Sequence, residues 1–188
     1  MTNMNIQMNP RLLGIPVLHI DANLINARQK LHDVNQLEEW DRYGVVTINI
    51  SSTACAEAKA GGNKKRTDKA NVQIYTTTPP ANTSDPLYQK VEAAIFPNGA
   101  KNDNQRNDVK IVFDAAKYAA ILVTGDGGSN RQPGGIIGNR HKLVDFVRIL
   151  SPAEAVSFIK NKIRERDAFN IQVHKKFGVQ LPAWTGAD

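Results

Sequence analysis

Short apolar runs alternate with longer stretches of helical periodicity along this chain. Val17 to Ile20, Val45 to Ile50, Ile121 to Thr124 and Val144 to Leu150 are compact and mostly apolar, as strands covered on both faces are. Between the first two, Leu24, Ile25, Leu31, Val34, Leu37 and Trp40 recur at roughly helical spacing, which predicts a helix from Leu24 to Tyr43 stopped by Gly44. Ser51 and Ser52 offer N-caps for a helix through Ala60, and Gly61-Gly62 ends it. Asn71 to Thr78 reads as extended, Leu87 to Phe96 and Asp108 to Ala119 as helices, and Pro152 as the start of a helix running to about Asp167. Strand, helix, strand, helix is the alternation of a parallel sheet, so the expected fold is a three-layer α/β/α domain with a central, mostly parallel sheet. Residues 1–14 read as a loose arm, 15–167 as the domain, and 168–188 as a tail without a clear pattern.

The polar positions that interrupt this pattern carry the chemistry. Asp21 closes the first apolar run and Asp126 closes Ala119 to Gly125. In open parallel sheets the carboxyl ends of the strands face the ligand crevice. Asp108 falls on the same helical face as Ile111, Val112, Ala115 and Ala119, where an unpaired carboxylate is costly; Asp114 is expected on the solvated side. Glu57 lies among the small residues Thr53, Ala54, Cys55, Ala56 and Ala58. Each acid alone has a plain structural alternative: an N-cap for Asp21 or Asp108, a turn residue for Asp126, an exposed helix residue for Glu57. Together, Asp21, Glu57, Asp108 and Asp126 form an oxygen-only set suited to Mg²⁺ or Mn²⁺, which points to metal-dependent hydrolysis of a phosphodiester.

Charge adds a partner class. Lysine and arginine exceed aspartate and glutamate to give a formal net charge of +6, which favours polyanions. Lys64, Lys65 and Arg66 stand in a glycine-flanked segment expected to be an exposed loop, and Arg131 in a glycine-rich, flexible loop after Asp126; all four are candidate phosphate contacts. His19, inside the first strand, reads as a buried structural histidine, and His141 as a surface residue. The single cysteine, Cys55, excludes an internal disulfide and is consistent with a reducing cytoplasm. No apolar stretch is long enough to span a membrane.

At this point the chain resembles the PIN-domain ribonucleases. Ile20-Asp21-Ala22-Asn23-Leu24-Ile25 looks like their opening D-x-N-x-L/I motif, and Thr53 to Glu57 is similar to their helix with a single Glu. Asp108 to Ala119 followed by Leu122-Val123-Thr124-Gly125-Asp126 is similar to the D…A…LVT-x-D pattern, and Ile149 to Glu154 looks like the closing strand-x-P-x-E/D element. The resemblance implies a Mg²⁺- or Mn²⁺-dependent endoribonuclease with Asp21, Glu57, Asp108 and Asp126 as metal ligands and catalytic acids, and Asn23 and Thr124 in support. It also implies RNA as substrate and, for relatives of VapC-type toxins, a small antitoxin-like partner or a homodimer. One rival is a nuclease-like module that grips RNA or a partner without cutting. Another is a haloacid dehalogenase-like phosphatase, but that family needs a second acid two residues after the nucleophile, where this chain has Asn23.

Overall fold

The computed structural model describes residues 11–14, 17–25, 30–60, 62, 64–65, 67–68, 76–118, 120–129 and 132–188. Its centre is a parallel sheet of five strands: β1 (Leu18–Ile20), β2 (Ile48–Ile50), β3 (Thr76–Thr77), β4 (Ile121–Val123) and β7 (Arg148–Leu150). The order across the sheet is β3-β2-β1-β4-β7. Every residue of β1 and β4 is buried, which explains why these strands read as apolar runs apart from His19. Two very short strands, β5 (Gly128–Ser129) and β6 (Gln132–Pro133), form a separate antiparallel pair.

Helices complete a three-layer α/β/α arrangement. They are α1 (His32–Arg42), α2 (Ser52–Ala60), α3 (Pro86–Ile95), α4 (Asp103–Lys117), α5 (Gly135–Asn139) and α6 (Pro152–Phe177). Helix α1 packs against α6, while α4 packs against both α2 and α3. The buried residues of α6, Ala155, Val156, Ile159 and Ile163, form a stripe at helical spacing. Burying each large aliphatic side chain stabilises the fold by about 1.5–3 kcal/mol. Among the described residues no helix is long and apolar enough to cross a membrane.

Several expected boundaries move, each for a local reason. Helix α4 starts at Asp103 rather than Asp108, because the Asn102 side chain accepts the Gln105 backbone N–H at 2.9 Å and caps it there. Asp108 is therefore no N-cap. The expected helix from Leu24 to Tyr43 is instead a 3-10 turn (Ala22–Leu24) followed by α1, with residues 26–29 outside those described. Lys64 and Lys65, expected in a loop, are helical and exposed; Arg66 and Arg131 lie outside the described residues. The glycine-rich stretch after Asp126 holds the β5–β6 pair and α5 rather than a plain loop.

The largest change is at the far end. Helix α6 runs ten residues past Asp167, to Phe177, where Gly178 in the left-handed conformation caps it. His174, Lys175 and Lys176 favour that last turn through the helix dipole. The tail then folds back. Gly186 N–H donates to Asp167 Oδ2 at 2.8 Å, the Arg166 guanidinium lies 4.1 Å from the Trp184 ring, and Arg166 pairs with Asp188 at 2.7 Å. Asp188 also pairs with Arg11, and Leu13 N–H donates to Val45 O, so both ends of the described chain are docked.

Candidate functional site

The strand order reverses beside β1: the chain moves outward to β2 and β3, then returns to place β4 on the other flank of β1. A crevice at such a switch point is where open α/β sheets place ligands. Asp21 and Asp126 follow β1 and β4 here, and the Asp21 N–H donates to Val123 O at 3.0 Å. The two acids thus sit at the carboxyl ends of adjacent central strands.

Asp21 is 5% exposed. Its Oδ2 accepts the Thr124 hydroxyl at 2.6 Å and the Asn23 amide at 3.0 Å. The same Thr124 oxygen accepts the Asp126 N–H at 3.0 Å, and Asn23 Oδ1 accepts the Gly125 N–H at 3.2 Å. Thr124 and Asn23 therefore tie the two strand ends together and fix the Asp21 carboxylate. Burial pushes the Asp21 carboxyl above its ordinary range; the Thr124 bond offsets part of this, and the negative charges of Glu57 and Asp126 add to the rise. A cation would relieve that strain.

Asp126 is held from its other side. Oδ1 accepts the Gly128 N–H at 3.0 Å and Oδ2 accepts the Ile136 N–H at 2.7 Å. Gly135 makes this approach possible: its φ is +50°, and a Cβ there would overlap the Asp126 carboxylate. The two glycines at 134 and 135 thus serve to bring α5 onto Asp126, a role that the glycine-rich composition alone did not disclose.

Glu57 reaches the site from α2. Ser51 Oγ accepts the Ala54 N–H at 3.0 Å and caps that helix, and Asn107 Nδ2 donates to Glu57 Oε1 at 2.8 Å. Asn107 was missed in the sequence because α4 was expected to start one residue later; the Asn102-x-x-Gln105 spacing, a helix-start signature, was the available signal. Asp108 follows Asn107, half-buried, and α4 runs back along the sheet so that its amino-terminal half lies towards the strand ends. The charges that act on Asp21 are those of Glu57 and Asp126. Among the described residues, no three His, Cys, Asp or Glu side chains stand close enough to form a preassembled metal cage. Backbone amides, Asn107, Asn23 and Thr124 each donate to one of the carboxylates.

Two further residues behave differently from one another. His19 is fully buried, as its place in a strand predicts, and His141 is exposed. Asp114, expected in solvent, is instead 1% exposed. It lies about 60° around the helix from Ile111, at the margin of the apolar face, and the chain leaving β3 at Thr78 covers it. Burial raises its pKa from 3.8 to about 7, with Lys117, Lys110 and Thr78 holding back part of the rise. Glu154 is accounted for structurally: it completes a capping box with Ser151 and pairs with Arg140 at 2.7 Å, and the Arg140 bond pulls its pKa down to about 2.

No protein-family model matches the chain, and no characterised protein matches it in sequence.

Proposed function

We propose that the chain is a Mg²⁺- or Mn²⁺-dependent endoribonuclease of PIN-like character. The observation that carries this reading is geometric: Asp21, buried, and Asp126 follow the adjacent parallel strands β1 and β4 at the sheet's switch point, and the charge of Glu57 also acts on Asp21. Negative charge of this kind, presented by hard oxygen donors, fits a divalent cation. Asp21, Asp126, Glu57 and Asp108 would hold it. When bound, such an ion lowers the pKa of water and offsets charge that develops on the phosphate. Thr124 and Asn23 keep the Asp21 carboxylate aimed, and the Gly128 and Ile136 amides do the same for Asp126. His19 is sealed in the core, so no histidine at the strand ends takes the part of base. RNA as substrate rests on the net charge of +6 and on exposed cations such as Lys64 and Lys65. If the chain is a relative of VapC-type toxins rather than a processing enzyme, a small antitoxin-like protein or a second copy of the chain would be its partner, in the cytoplasm.

One observation favours a second reading. Both Asp126 oxygens already accept backbone N–H groups, as a purely structural turn residue would, and a module that binds RNA without cutting would have no need to release them. Cleavage of a labelled single-stranded RNA in Mn²⁺ separates the two. The nuclease reading expects cleavage that EDTA stops, and a loss of at least about 100-fold in Asp126→Asn. Binding without cleavage in the parent protein would establish the second.

A further inference from the structure

We propose that the groove between α2 and α4 is a phosphate subsite for the RNA strand, with Lys110 as its cation. The inference rests on the ribonuclease reading for the identity of the strand. The groove encloses about 410 Å³ and is lined by Ser52, Thr53, Glu57, Asn107 and Lys110, a size within the range of ligand clefts, about 300–1,000 Å³. Ala56 and Ala60 line its α2 side, and their small side chains leave the room.

Its two walls differ in charge. Glu57 faces the acid cluster and is fixed by Asn107 at 2.8 Å. Lys110 lies one helical turn beyond Asn107, half-buried. Its charge acts on the buried Asp114, one helical turn further along α4, while the side chain still lines the groove. An ammonium on a flexible stem suits a phosphate as a point charge. Ser52 and Thr53 add hydroxyl groups at the first turn of α2, where the helix dipole also favours an anion. A strand whose scissile phosphate lies at the Asp21–Glu57–Asp126 cluster would thus lay a neighbouring phosphate in this groove. Lys110 is half-buried in the groove, whereas Lys64 and Lys65 are exposed.

The test is the salt dependence of binding of a labelled single-stranded oligoribonucleotide in EDTA, with the parent protein, Lys110→Gln, and Lys160→Gln on the exposed face of α6. Lys110→Gln should weaken binding about 3- to 10-fold and reduce the slope of log K against log salt by about 0.7, the share of one phosphate contact on a single strand. Lys160→Gln should change neither, and both variants should keep the parent's thermal midpoint. An unchanged slope in Lys110→Gln, an equal loss in Lys160→Gln, or no RNA binding by the parent overturns the subsite. A parent that shows no cleavage in Mn²⁺ while Lys110→Gln still lowers the slope overturns the nuclease reading and leaves the groove standing.

Discussion

Burial raises the pKa of two carboxyl groups here, Asp21 and Asp114, in different surroundings. Asp21 has Thr124 and Asn23 bonded to it and the charges of Glu57 and Asp126 acting on it. Asp114 has no such company: its Oδ2 lacks a hydrogen-bond partner among the described residues, and burial lifts its pKa to about 7. Because the folded-state pKa lies above the unfolded value, the native state binds the proton more tightly. The resulting stability is fully present below about pH 4 and is lost as pH rises through 7. Between pH 5 and pH 8 this amounts to about 2–3 kcal/mol. Asp114→Asn should remove that slope, matching the parent near pH 5 and exceeding it at pH 8, without loss of RNA cleavage. Urea titrations at the two pH values decide it; parallel pH profiles for the two proteins would mean that Asp114 is ionised in the fold. Periodicity alone put Asp114 in solvent because the residue that covers it, Thr78, comes from a distant strand.

At the scale of elements, what the sequence made legible is what depends on near neighbours. The apolar runs at Leu18–Ile20 and Ile121–Val123, the cap at Ser51 and the stop at Gly44 are all local signals, and the structure places them as expected. The D-x-N spacing at Asp21 and Asn23 and the T-x-D spacing at Thr124 and Asp126 were legible too, and their hydrogen bonds join residues 103 apart in the chain. What escaped was tertiary. The run of α6 beyond Asp167 has no apolar stripe to announce it, and the tail that stabilises it closes through Arg166, Trp184 and Asp188. The pairing of α5 with Asp126 was hidden in a glycine-rich stretch. That pairing makes a sharp prediction. Gly135→Ala would drive a methyl group into the Asp126 carboxylate at a positive φ, and it should cost about 1–3 kcal/mol of stability and suppress cleavage. Gly138→Ala, whose Cβ meets nothing within 4 Å, should leave cleavage intact. Equal behaviour of the two variants in thermal melts and cleavage assays would show that α5 does not position Asp126.

The whole molecule works as a device for collecting acids. Strand order puts β1 beside β4, so Asp21 and Asp126, 105 positions apart in the chain, emerge together; α2 carries Glu57 and α4 carries Asn107 and Asp108 to the same end. Asp21, Glu57 and Asp126 are far apart in sequence, and each accepts a hydrogen bond from another element: from Thr124, Asn107 and Ile136 respectively. On the proposed reading, this negative charge inside a chain of net charge +6 would attract a cation at the strand ends and a polyanion around it. Removing one buried carboxylate should therefore do two opposite things: weaken cation binding, and raise the stability of the cation-free fold by relieving repulsion and desolvation. The most direct measurement is calorimetric titration of Mn²⁺ into the parent protein and into Asp21→Asn, with thermal melts of both in EDTA. The account predicts a Mn²⁺ site in the parent, at least about tenfold weaker binding in the variant, and a melting temperature in EDTA no lower for the variant than for the parent. Equal Mn²⁺ affinity in the two proteins, or no Mn²⁺ binding by the parent, would contradict it.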